Sequence, residues 1–292
     1  MIVIGVVVLA AALHACWNAI VKSIDDRLSV MAVLGLSSVL VCLPIALLAP
    51  APRGAALPFL AGSIAVHGVY TLLLVGLYAD SEFNQVYPLA RGISPPTVAL
   101  FAVLVVGERL SRLQVAGLAV LSIGLLGVAA RGGGRTRRRD STRRGDESRR
   151  ALGLAALTGL SIATYTILDG LGVRRAGTTF GYASWLFSGE GLIVPIVWLW
   201  LRRSAAGAAT TLRLPADLVA RAAIAGVVSV LAYGLVLWAQ SRGALAVVAG
   251  LRETSVVFGA LIGAAVFGEQ LPSRRIAASV LIAAGAVALA VA

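Results

Sequence analysis

At 292 residues, with 59% hydrophobic and only 13% charged side chains and a mean hydropathy of +0.92, the chain is too apolar for a soluble globular domain and reads as a polytopic membrane protein. The net charge of +12 invites a nucleic-acid reading, but nine of the 25 Lys and Arg residues lie in one stretch, 131–150, which fits a topology and membrane-surface signal better. Cys16 and Cys42 have neither CxxC nor metal-ligand spacing, and the N-terminus, lacking a basic n-region and a clear cleavage site, reads as a retained first helix.

A transmembrane helix needs about 20 mainly apolar residues. Ten such spans fit the chain, at 2–21, 28–49, 57–78, 83–106 and 112–130, then at 151–172, 180–201, 217–239, 243–267 and 272–291. Between the fifth and sixth lies the basic linker, 131–150, whose Arg, Gly, Ser and Thr content cannot bury a core. Pro88, Pro95 and Pro96 should kink the fourth span, and Gly259 and Gly263 in the ninth have the GxxxG spacing that lets helices approach closely in lipid.

The two groups of five spans are related. Arg91, Ser94, Gly107, Glu108, Leu110 and Gly124 recur at a constant spacing as Arg252, Ser255, Gly268, Glu269, Leu271 and Gly285. Further upstream, Leu43-Pro44-Ile45 aligns with Val194-Pro195-Ile196, Ser37 with Ser188, and Trp17 with Tyr165. Five is odd, so two fused five-helix units must lie oppositely in the membrane. The expectation is an all-α protein of ten transmembrane helices in two inverted repeats, 1–130 and 151–292, joined by the linker. Sixteen Lys and Arg residues fall in loops on the linker's side and six on the other, which places the linker in the cytoplasm and both termini outside.

Charged groups within spans are costly and are the first functional candidates. Arg91 lies roughly 12 Å into the fourth span at the helical rise, and Arg252 occupies the equivalent place in the ninth. Either this repeat-related pair of guanidiniums holds a carboxylate or phosphate of a substrate, or the two arginines make internal salt bridges that fix the packing. Glu253 and Glu190 are the carboxylates that could pair with them, and both are candidates for proton coupling. His14, Trp17, Asn18, His67, Tyr70, Tyr87, Tyr165 and Tyr233 supply polar and aromatic side chains for a cavity lining. The two histidines lack metal-ligand spacing, and no metal or other cofactor is expected. Glu108 and Glu269, each beside a glycine, should cap the helix that follows or pair locally.

At His14-Ala15-Cys16-Trp17-Asn18-Ala19, Val86-Tyr87-Pro88-Leu89-Ala90-Arg91-Gly92, Gly107-Glu108-Arg109-Leu110 and Leu251-Arg252-Glu253-Thr254-Ser255, the chain resembles EamA-type permeases of the drug/metabolite transporter superfamily. The resemblance spans nearly the whole sequence. It implies ten helices in two inverted halves around a central cavity, and alternating access that moves small metabolites, often outward. It also implies both termini in the cytoplasm, against the charge count.

The expected function is a secondary transporter in the plasma membrane for a small metabolite, anionic or zwitterionic, with lipid as its surroundings and a proton as a coupling candidate. A lipid flippase on the same scaffold is the alternative. An enzyme is not expected, because HExxH, Gly-x-Ser-x-Gly and a Gly-rich phosphate loop ending in Lys-Ser or Lys-Thr are all missing from the sequence. A receptor or assembly subunit would need no solvent cavity.

Overall fold

The computed structural model describes the backbone of residues 1–24, 26–79, 83–129, 141–206 and 214–292, with side chains over the same ranges except 74–79, 83–88, 129, 141–151 and 204–206. Every regular element among the described residues is helical. They are α1 (Ile2–Lys22), α2 (Arg27–Leu48), α3 (Leu57–Ala79), α4 (Phe83–Phe101), α5 (Arg112–Ala129), α6 (Ser141–Arg175), α7 (Thr179–Glu190), α8 (Ile193–Ala206), α9 (Ala216–Gln240), α10 (Leu245–Arg252), α11 (Ser255–Phe267) and α12 (Ser273–Val291). Among the described residues nine segments are long and apolar enough to cross a membrane, and Arg112–Val128 is a shorter apolar helix at the fifth predicted position. Leu40, Leu48, Leu104 and Val266 are exposed on these helices, as lipid-facing side chains are.

Local chemistry sets the helix ends. Asp26 accepts from the Ser29 amide at the start of α2, and Thr178 from the Gly181 amide at the start of α7. Ser111 and Gln114 bond reciprocally at the start of α5, a capping box. Gly107 and Gly268 close the fourth and ninth spans in the left-handed conformation, with φ of 77° and 63°. The linker assigned to 131–150 falls partly outside the described residues, but its second part belongs to α6, which begins at Ser141. Nothing in that part bars helix, since it has no proline and Arg and Glu are good helix formers.

The irregularities lie elsewhere than the prolines suggest. The fourth span runs unbroken as α4 past Pro95 and Pro96 and turns into a π-helical stretch only at Ala102–Val106. Breaks fall instead in the seventh and ninth spans. The seventh divides after Glu190, where Pro195 supplies no amide to the Gly191 carbonyl. The ninth divides after Arg252 in a turn of tighter bonds, from the Glu253 amide to Gly250 O at 3.0 Å and from the Thr254 amide to Leu251 O at 3.1 Å.

The chain divides into two compact units. The first comprises 1–71 and 168–242, the second 72–167 and 243–292, so each draws on both halves of the sequence. In the first unit α2 packs on α7, α8 and α9, and α1 on α9. Gly35 and Gly191 meet at backbone distance, since a Cβ on Gly35 would sit 2.5 Å from Gly191 O. The Trp198 indole N–H on α8 donates to Ser29 Oγ on α2 at 2.8 Å, and Arg202 donates to both Ser29 and Asp26. In the second unit α5 packs on α12 and α4, and α10 on α4 and α12. Here Gly117, Gly124 and Gly285 let α5 and α12 meet at backbone distance. The GxxxG pair named from the sequence does not act this way. A Cβ on Gly259 would meet nothing within 4 Å, and one on Gly263 would meet the chain's own Glu269.

Candidate functional site

Both helix breaks carry ionisable side chains, Arg252 and Glu253 buried and Glu190 half-buried. In the second unit α4 brings Arg91 against the break between α10 and α11. Its Nε donates to Glu253 Oε2 at 2.7 Å and its Nη2 to Ser255 Oγ at 3.0 Å. Arg252, the next residue before Glu253, is a looser neighbour, with its Nε 4.0 Å from Glu253 Oε1. All four residues are buried. Two repeat-related arginines thus converge on one carboxylate, and the internal salt bridge envisaged for this pair is present at Arg91. Tyr165 on α6 is buried in the same unit.

In the first unit His67 on α3 points its Nε2 at Glu190 Oε2, 3.3 Å away, at the end of α7. Its other ring nitrogen lies 3.2 Å from Ser63 Oγ and 3.0 Å from the Ser63 carbonyl, which fixes the ring. Glu190 therefore meets a histidine and not, as the sequence suggests, an arginine. The reason is topological: Arg91 and Arg252 belong to the other unit, whereas α3 and α7 both contribute to this one.

Tyr233 on α9 stacks edge-on against His67 and donates to Asp169 Oδ2 at 2.6 Å, while Tyr182 donates to Asp169 Oδ1 at 3.2 Å. Asp169 on α6 is fully buried and is the ionisable residue that the sequence reading passes over. Its signal was an acid inside the sixth predicted span. Gly172 leaves the room that the Tyr182 ring occupies.

The remaining candidates distribute as follows. His14 and Trp17 on α1 stand edge to face at 5.1 Å, and the Asn18 amide bonds back to the His14 carbonyl. The Trp17 indole N–H is buried with no hydrogen-bond partner, a costly state for a donor. Tyr70 is half-buried, and the side chain of Tyr87 lies outside the described residues. No group of three or more His, Cys, Asp or Glu among the described residues has the geometry of a metal site. Glu108 does cap a helix, but not the one that follows. Its carboxylate accepts from the amides of Leu245 and Ala246, at 2.7 and 3.3 Å, at the start of α10. Glu269 pairs locally, with Arg275 at 3.0 Å.

Spans crossing the bilayer and broken at buried charges are the construction of a polytopic membrane transporter. Residues 149–291 match the EamA-like transporter family. Over that second half the chain is EamA-like, and with its apolar spans the protein is a multi-pass integral membrane protein. No curated protein matches it closely enough to add to this. Among solved structures, one crystal structure of a protein shares the fold with a TM-score of 0.71, covering 99% of this chain and 96% of its own at 18% identity. At that identity the likeness speaks for the fold alone.

Proposed function

We propose that the protein is a secondary transporter that exports a small anionic or zwitterionic metabolite across the plasma membrane by alternating access between two inverted repeats. The observation that carries this reading is the pair of helix breaks, one at Glu190 and one at Arg252 and Glu253. Broken helices free backbone groups and concentrate charge at membrane depth, and both serve to bind and release a polar solute. The outward direction rests on the family likeness.

In the second unit the substrate's anionic group engages Arg252, whose Nε stands 4.0 Å from Glu253 Oε1. It then competes with Glu253 for Arg91, since a guanidinium accepts any carboxylate of matching geometry. In the first unit Glu190 and His67 share a proton that couples transport to the pH gradient, a role suited to two groups 3.3 Å apart at a helix break. Trp17 supports a polar ligand near α1 through its buried indole N–H. Among the described residues no contact favours the lipid-flipping alternative.

The test is a metabolite profile of the medium from deletion and overexpression strains, followed by flux of the identified compound in proteoliposomes. Accumulation outside the overexpressing cells and saturable flux are expected. Flux without any compound lost from the cells would point to uptake.

A further inference from the structure

The two Gly-Glu corners share one backbone but use their carboxylates differently. Gly107 and Gly268 are both left-handed, and the amides of Glu108 and Glu269 both reach six residues back, to the carbonyls of Ala102 and Gly263. Ala102 and Gly263 stand at the same spacing as Arg91 and Arg252, so the corners are repeat equivalents. Glu108 nonetheless lies on the first two amides of α10, whereas Glu269 is held by Arg275.

Carrying Leu245 and Ala246 back by the repeat spacing lands on Asn84 and Gln85, the second and third residues of α4. We propose that Glu108 and Glu269 are alternating latches. In the state seen here Glu108 holds the start of α10. In the opposite access state Glu108 lets go, and Glu269 leaves Arg275 to cap the amides of Asn84 and Gln85.

The physical basis is that the start of a helix presents amides with no partner in the helix itself, and a carboxylate there satisfies them and complements the helix dipole. No side chain of the residue preceding α10 does this work, since its N-cap is Ala244. Glu108 therefore positions α10, whose other end carries Arg252 and, one residue on, Glu253, clamped by Arg91. Holding both ends of an eight-residue helix fixes where Arg252 sits, and releasing one end moves it. The equivalent position to Arg275 in the first repeat is Gln114, which is occupied in the Ser111 capping box and offers Glu108 no cation. That asymmetry explains which corner is latched in this state. The inference rests on alternating access as proposed above.

Amide hydrogen exchange of the purified full-length protein in lipid nanodiscs tests it without substrate. Glu108→Gln should speed exchange at the start of α10 roughly fivefold to tenfold, the scale of a lost helix cap, and slow it at the start of α4. Arg275→Gln, which leaves Glu108 intact and frees Glu269, should shift both segments in the same directions. Glu269→Gln should slow exchange at α10 and speed it at α4. If Glu108→Gln loosens α10 alone and Arg275→Gln changes neither segment, Glu108 is a fixed cap and the latch is wrong. Flux in proteoliposomes is scored separately, so a failed latch leaves the transport reading standing, and a failed flux assay leaves the exchange result legible.

Discussion

The Arg91 guanidinium and the Glu253 carboxylate meet at 2.7 Å although 162 residues separate them in the chain, and both are buried. Such a pair costs desolvation on both sides. Removing one partner is therefore worse than removing both. Arg91→Met should destabilise the protein by about 3–5 kcal/mol, while the Arg91→Met, Glu253→Met double variant should recover most of that loss. Thermal unfolding in detergent reads the difference. A single variant as stable as wild type would mean that water or another group compensates Glu253.

Arg252 should behave otherwise. Arg252→Gln should leave folded protein in the membrane and weaken substrate binding roughly 10- to 100-fold, the scale of a lost hydrogen bond to a charged group. Equilibrium binding of the identified substrate to the purified variant checks this, and unchanged binding would make Arg252 structural.

If Glu190 and His67, 3.3 Å apart, act as the proposed unit for proton transfer, Glu190→Gln and His67→Gln should each abolish accumulation driven by a pH gradient while sparing exchange of substrate against substrate. The double variant should be no worse than either single one, as expected of two groups acting together. Full pH-driven accumulation by either variant in proteoliposomes would place the coupling elsewhere.

A methyl group at Gly285 would lie 2.5 Å from Gly117 O and 2.7 Å from Leu121 Cβ, so Gly285→Ala must push α12 off α5. Overpacking of this kind costs about 1–3 kcal/mol. Gly259→Ala, which meets open space, should gain stability slightly or leave it alone. Unfolding temperatures of the two variants, measured side by side, decide.

The charge bias of the loops predicts that the basic linker, 131–150, is cytoplasmic. With exposed Cys16 and buried Cys42 both replaced, a cysteine at Ser141 should resist an impermeant thiol reagent in intact cells and react after permeabilisation. Reaction in intact cells would favour the topology that the family resemblance implies.

Apolar runs long enough to span lipid have few other fates, which is why the nine described spans and the shorter apolar helix at the fifth position were legible in the sequence. A repeat of sequence was legible too, through fixed spacings such as Arg91 with Arg252. Partnerships were not, because nothing local tells Glu190 that its neighbour is His67 on α3, or tells Glu108 that the helix it caps begins 137 residues later. Gly117, Gly124 and Gly285 illustrate the same limit, for whether a small residue marks a contact depends on what lies opposite. Pro195 also escaped, since proline bends some helices and is absorbed by others, as Pro44 is within α2.

The bond from the Trp198 indole to Ser29, with the Arg202 guanidinium 5.1 Å from the same ring, gives this protein a built-in optical gauge. An indole held by a hydroxyl and a cation emits differently from one released to lipid. A version keeping Trp198 and carrying phenylalanine in place of Trp17, Trp185, Trp200 and Trp238 would have a single emitter at the seam of α2 and α8. Its colour would follow, in real time and without any attached label, whether that seam stays shut while the protein turns over.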